Sequence, residues 1–197
     1  MSRLILASTS RYRQALLARL RLPFEALPPD VDETAAPGEA PAELAARLAL
    51  AKARSLRVPG AWVLGCDQVA SLRGRVLRKP GSHALAREQL LACQGRTVDF
   101  HTAAAIVETT ENRVWQTVDH TRVRFAALDA HVLDAYLHAE QPYDCAGGFK
   151  SEGLGIALLE RVESHDPTAL IGLPLIWVAA TLRGAGLDPL TQAHAAH

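Results

Sequence analysis

The chain has 197 residues, enough for one buried core, and 49% of them are apolar, as in an ordinary water-soluble protein. Its 21 Lys and Arg balance 21 Asp and Glu, so the formal net charge is zero. That excludes a protein that coats a nucleic acid, which needs a basic excess, and any affinity for anions has to be local.

Arg3 to Ala7 reads as a short apolar strand, reached at once from the N-terminus without a signal-peptide or membrane-span pattern. A cytoplasmic protein with neither a membrane nor a nucleic acid as partner is expected. The hydroxyl-rich turn Ser8-Thr9-Ser10 offers good N-caps to a helix with Leu16, Leu17 and Leu20 on one face. Arg11 and Arg13 fall in its first turn. There the helix dipole is positive, and each cation costs about 0.3–1 kcal/mol unless an anion joins it. Strand, hydroxyls, bare backbone N–H groups and arginines together suit a phosphate, unless the arginines simply point into water.

Leu22 to Leu27 reads as a second strand, running into the acidic loop Pro28-Pro29-Asp30-Val31-Asp32-Glu33, whose carboxylates are either solvated or sharing a cation. Pro41 opens a helix to about Arg57. Lys52, four residues from both Leu48 and Leu56, borders its apolar stripe, either snorkelling or aiming its ammonium into a site.

The run Ala61-Trp-Val-Leu-Gly-Cys-Asp-Gln-Val69 predicts a buried strand that passes Gly65 and delivers Asp67 at its end. Chemistry in open α/β sheets collects just past such ends. A buried carboxylate needs a cation, hydrogen bonds or a task; capping a turn is the alternative. Val69 to Leu77 predicts a hairpin around Arg73-Gly74, leading to Arg78-Lys79-Pro80, where Pro80 biases Lys79 towards extended backbone. A capped helix over Ser82 to Cys93 follows, then two long strands, Gly95 to Val107 and Arg113 to Phe125. Leu128 to Glu140 predicts an amphipathic helix stopped by Pro142. Tyr143 to Gly155, with four glycines around Phe149, Lys150 and Glu152, makes a poor core and a good ligand loop. Ile156 to Val162 predicts a last strand and Leu173 to Arg183 a closing helix. A single domain over residues 1–190, with a frayed tail over 191–197, completes the expectation.

The pattern predicts an α/β fold with a mixed sheet. The three cysteines, Cys66, Cys93 and Cys145, fit neither a disulfide framework nor a zinc site and suit a reducing cytosol. No Gly-x-Gly-x-x-Gly, P-loop or Gly-x-Ser-x-Gly motif occurs, which argues against a Rossmann site, a P-loop enzyme and a serine hydrolase. What remains is oxygen ligands and dispersed cations. Glu33 and Asp67 can hold a divalent metal, and Arg13, Lys52 and Lys79 a polyphosphate. Phosphoryl chemistry needs little more than these and a positioned water.

Leu6-Ala-Ser-Thr-Ser-Arg-Tyr-Arg13, Val31-Asp-Glu33, Gly65-Cys-Asp-Gln-Val69, Lys79-Pro80 and Cys145-Ala-Gly-Gly-Phe-Lys-Ser-Glu-Gly153 together resemble the Maf family of nucleoside triphosphate pyrophosphatases, over nearly the whole chain and in motif order. The resemblance implies a mixed twisted sheet in two lobes around a central cleft, as in inosine triphosphatases. It also implies a homodimer and hydrolysis to the monophosphate and pyrophosphate with Mg2+ or Mn2+. It makes Asp67 the proton acceptor and places Ser8, Arg13, Glu33, Lys52 and Lys79 around phosphates and metal. Tyr12, Gln68 and Ser151-Glu152-Gly153 resemble the 7-methyl-GTP branch of the family more than the dTTP and UTP branch. Tyr12 can stack on a cationic base, Glu152 can accept from the guanine edge, and Gln68 can read a remaining edge group. Tyr12 stands where that branch often has tryptophan, and Arg11 and Gly148 replace its usual proline and serine. A pyrimidine or other modified nucleotide as substrate, and a regulatory nucleotide binder acting on cell division, stay as alternatives.

Overall fold

A computed structural model describes residues 3–192. Seven strands form one sheet: β1 (Arg3–Ala7), β2 (Phe24–Leu27), β3 (Ala61–Leu72), β4 (Arg75–Leu77), β5 (Thr97–Glu108), β6 (Arg113–Phe125) and β7 (Leu159–Glu163). Their order is β2-β1-β3-β5-β6-β7, with β4 pairing β3 separately. β1 runs parallel to both β2 and β3, and every other pairing is antiparallel. The helices are α1 (Arg11–Ala18), α2 (Pro41–Ser55), α3 (His83–Cys93), α4 (Ala130–Glu140), α5 (Leu175–Gly184) and the short α6 (Pro189–Gln192). This is the mixed α/β class that the sequence predicts. None of these helices is long and apolar enough to cross a membrane. Thr191 and Gln192, expected in a frayed tail, belong to α6, and the rest of that tail lies outside the described residues.

Several boundaries shift from expectation by a few residues. α2 stops at Ser55 rather than Arg57, with Leu56 already in extended backbone at φ −99° and ψ 98°. The last strand starts at Leu159 rather than Ile156, because Leu154 to Leu158 wind into 3-10 turns. A third difference matters most. The strand carrying Asp67 does not end there but continues to Leu72, because β5 pairs with it along its length, from Trp62 opposite Glu108 to Ser71 opposite Asp99.

The strand end that opens the site is instead that of β1. β1 stops at Ala7, opposite Gly65, and the pairing of β3 with β4 begins only at Ala70, opposite Leu77. Between them Cys66, Asp67, Gln68 and Val69 present an edge that no described strand covers. Pleating sends successive side chains of this stretch to opposite faces. On one face Trp62, Leu64 and Cys66 pack with Leu16 and Leu17 of α1 and Val178 and Leu182 of α5. Further along the same face Ala70 and Leu72 pack with Leu90, Leu133, Leu137 and Phe149. The other face, with Ala61, Val63 and Val69, packs on Leu44, Leu48, Ala49 and Ala53 of α2.

Gly65 sets how close α2 comes. A Cβ at that position would lie 2.2 Å from the Ala49 carbonyl oxygen and 2.5 Å from the Ala53 nitrogen. Only a residue without a side chain allows the helix backbone to rest on the strand there. That contact places Lys52, on the same turn of α2, against the open edge of β3.

Candidate active site

The open edge leads into a cleft of about 470 Å³. Lys52 is buried, and its ammonium is held at 2.6 Å from Asp67 Oδ1 and 2.6 Å from Glu33 Oε1. The lysine that borders the stripe of α2 therefore aims into a site. The acidic loop after β2 does more than meet solvent, since Glu33 closes on that lysine. Asp67 is 8% exposed, and it lies one hydrogen bond behind Lys52 and Glu33, which line the cleft. Burial pushes the Asp67 carboxyl above its ordinary range; Lys52 and Arg13 oppose that shift, and Glu33 adds to it. Glu33 is much more exposed. The hydrogen bond from Lys52 holds its carboxyl below the usual value, with help from Lys79 and Arg13.

The hydroxyl turn after β1 lines the same cleft with Ser8, Thr9 and Ser10. Ser10 caps α1, its hydroxyl oxygen accepting from the Arg13 backbone N–H at 3.4 Å, and buried Ser8 accepts from the Ser10 N–H at 3.1 Å. No acid sits in the first turn of α1, so its positive end faces the cleft uncompensated. Arg13 is steered inward by a bond from its Nε to the Gly172 carbonyl at 3.0 Å. Lys79, exposed on the segment after β4, also lines the cleft, and the Gly147 N–H on the Arg78 carbonyl ties that segment to the loop after α4.

On the opposite face of β3, Gln68 separates the two apolar clusters. Its Nε2 donates to the carbonyls of Ala169 and Leu170, each at 3.0 Å, and lies 2.9 Å from Thr102 Oγ1. The amide nitrogen is spent on this wall, so what Gln68 can offer a ligand is its carbonyl oxygen, an acceptor. The wall is tied from behind by buried Asp166. Its Oδ1 accepts from the Thr168 N–H at 2.8 Å and its Oδ2 from the Ile176 N–H at 2.7 Å. The Thr168 hydroxyl accepts from the Leu175 N–H and lies 2.7 Å from the Leu173 carbonyl.

Tyr12, half-buried, and Glu152 line the same cleft. Arg11 donates to the Tyr12 hydroxyl at 2.7 Å and lies 4.8 Å from its ring centroid. Glu152 is exposed, and its hydrogen bond comes from the neighbouring Ser151 hydroxyl at 3.3 Å. The glycine-rich loop is only partly the poor core it resembles. Phe149 is buried, edge-on to Phe125 at 5.3 Å and tilted on Phe100 at 6.1 Å, while still lining the cleft.

Ser8, Tyr12, Arg13, Glu33, Lys52, Gln68, Lys79 and Glu152 thus surround one cleft, with Asp67 immediately behind it. Sequence reasoning missed Thr102, Glu140, Asp166 and Thr168, which act on the site through other residues. A buried Asp followed at two residues by Thr is the one signal that pointed to a tied loop. Among the described residues no group of three or more His, Cys, Asp and Glu gathers for a metal. Glu33 and Asp67 reach one ammonium from two sides, so they converge on a point that accepts positive charge. Two carboxylates suit Mg2+ or Mn2+, which leaves most of its shell to water and phosphates.

A family described as Maf-like protein matches residues 3–185. A Bordetella pertussis protein named 7-methyl-GTP pyrophosphatase is 53% identical over 191 residues, covering 96% of this chain and 95% of its own. A Xanthomonas axonopodis pv. citri protein of the same name is 54% identical over 190 residues, covering 95% and 99%. Among solved structures, a HAM1 protein from Coxiella burnetii superposes with a TM-score of 0.45 at 21% identity, over 65% of this chain and 75% of that one. Motif order, the gathering of those motifs in one cleft and the family match over most of the length lead to one assignment: the chain belongs to the Maf family.

Proposed function

We propose that this protein hydrolyses 7-methyl-GTP to 7-methyl-GMP and pyrophosphate. The observation that carries the reading is that one cleft holds two sets of groups. Cations and two acids gather around Lys52, and an aromatic ring and a carboxylate, Tyr12 and Glu152, line the same cleft. A triphosphate and a cationic base need those two sets. The names of relatives more than 50% identical point the same way.

In this reading Arg13, Lys52 and Lys79 hold the phosphates and offset charge that builds as the bond breaks. Asp67, with its proton affinity raised by burial, accepts a proton from water; Lys52 occupies its Oδ1, so Oδ2 is the oxygen left to take that proton. The water oxygen bonds to the α-phosphorus as the bond from that phosphorus to the oxygen bridging to the β-phosphorus breaks, and pyrophosphate leaves. A divalent cation held by Glu33 and Asp67 supplies further charge neutralisation when bound. Tyr12 stacks on the methylated base, and Glu152 and the Gln68 carbonyl oxygen accept from its edge.

The test is pyrophosphate release from 7-methyl-GTP, GTP, dTTP and UTP, with Mg2+ and after chelation. The expected result is 7-methyl-GTP preferred and turnover lost on chelation and restored by the metal. Preference for dTTP or UTP would move the chain to the pyrimidine branch, and nucleotide binding without release would leave only a regulatory binder.

A further inference from the structure

One ion pair away from the Tyr12 ring stands a carboxylate where helix physics disfavours one. Glu140 is the last residue of α4, at the negative pole of the helix dipole, where an acid is unfavourable. Two bonds outside the helix offset that cost. Its Oε1 takes the Lys150 ammonium at 2.5 Å, and its Oε2 accepts from the Leu154 N–H at 2.7 Å. The chain between these two anchors is drawn tightly round the carboxylate, so that a Cβ at Gly153 would lie 2.5 Å from Oε2. A third bond, from the Lys150 N–H to the Tyr136 hydroxyl at 3.1 Å, holds the start of the segment to the same helix. The ion pair is largely covered, with the side chains 19% and 13% exposed for Lys150 and Glu140. Lys150 and the Leu154 N–H hold the Glu140 carboxyl below its ordinary value, and Glu140 holds the Lys150 ammonium above its own.

Glu152 stands midway between the two anchored residues. It is exposed and bonded only to its neighbour Ser151, so its position is set by the segment and not by contacts of its own. Lys150 matters in a second way, because its Nζ lies 5.8 Å from the Tyr12 ring centroid. A cationic base stacked on Tyr12 meets that ammonium as a like charge, and Glu140 cancels it.

We propose that Glu140 is a positioning residue that gives the cleft its preference for a positively charged base, by anchoring the segment that presents Glu152 and by neutralising Lys150 beside Tyr12. The proposal rests on the 7-methyl-GTP reading above. Its test measures kcat and KM for 7-methyl-GTP and for GTP in the wild type, Glu140→Gln and Lys150→Met. Glu140→Gln keeps an acceptor for Leu154 and takes away the carboxylate bonded to the ammonium. It is expected to raise KM for 7-methyl-GTP about tenfold while moving that for GTP little, so the preference falls. Lys150→Met removes the like charge while the Leu154 N–H and the residue-150 backbone N–H still anchor the segment, and is expected to hold or raise the preference. Parallel losses on both substrates, or an unchanged preference in both variants, would overturn the proposal. Should Glu140→Gln fail to fold, a lowered preference in Lys150→Met overturns it alone. A wild type without preference for 7-methyl-GTP sinks the underlying reading instead, so the two failures are distinguishable.

Discussion

Asp67 and Glu33 share one lysine yet are pushed in opposite directions, and burial is the reason. Around Asp67 the loss of water outweighs the attraction of Lys52, so the carboxyl holds a proton more readily than usual. Around Glu33 water remains, and the lysine dominates. The buried acid therefore suits proton acceptance, and the exposed one suits binding charge. Asp67→Asn is expected to lower turnover by about 10²–10⁴-fold, the range of a lost general base. It should still fold, because Glu33 continues to neutralise Lys52. Pyrophosphate release, read beside the thermal unfolding midpoint, checks this. Near-normal release from a folded variant would remove Asp67 as the base.

Among the elements, β3 and α2 decide where the chemistry sits. Gly65 permits α2 to lie on the strand, and that contact is what brings Lys52 to Asp67. Gly65→Ala is expected to destabilise by about 1–3 kcal/mol, as overpacking does, and to reduce turnover as well because α2 carries Lys52 away with it. A lowered unfolding midpoint with full turnover would show that the helix shifts without moving its lysine. Most of this level was legible from the sequence. The Arg73-Gly74 turn announced its hairpin, with both residues at positive φ, 53° and 79°. The place of Lys52 beside the apolar stripe left two choices, and only packing selected one. Motif likeness named the cleft residues before any geometry. The hairpin put a strand on Val69 to Leu72, but its fusion with the run carrying Asp67 into one strand was not legible, because pairing with β5 is a long-range event that no local pattern encodes. Neither was the support of the walls by Asp166 and Glu140, whose partners are mostly backbone groups, identical at every position.

At the scale of the whole molecule, the same sheet that opens the cleft closes off the sulfur chemistry. Cys66 and Cys93 are buried, and burial pushes their thiols to about 12 and about 11. Cys145, at the cleft, is pushed to about 12 by burial and by Asp144 beside it. Thiolates are therefore scarce at neutral pH. The folded protein is expected to leave all three thiols unreacted with a disulfide reagent over minutes at pH 8, and to release all three in strong denaturant. One fast thiol in the native protein would identify Cys145 as an accessible nucleophile and contradict the assignment.

Asp67 and Gln68 are adjacent in the chain but leave β3 on opposite sides, one towards Lys52 and the other towards the Ala169 and Leu170 carbonyls. In the proposed reading, cutting the nucleotide and choosing it are therefore separate jobs carried by two sequential letters. A lineage can rewrite the second and change its diet while leaving the first, and the rate it confers, untouched. Inserting or deleting a single residue just upstream would exchange the two jobs and ruin both.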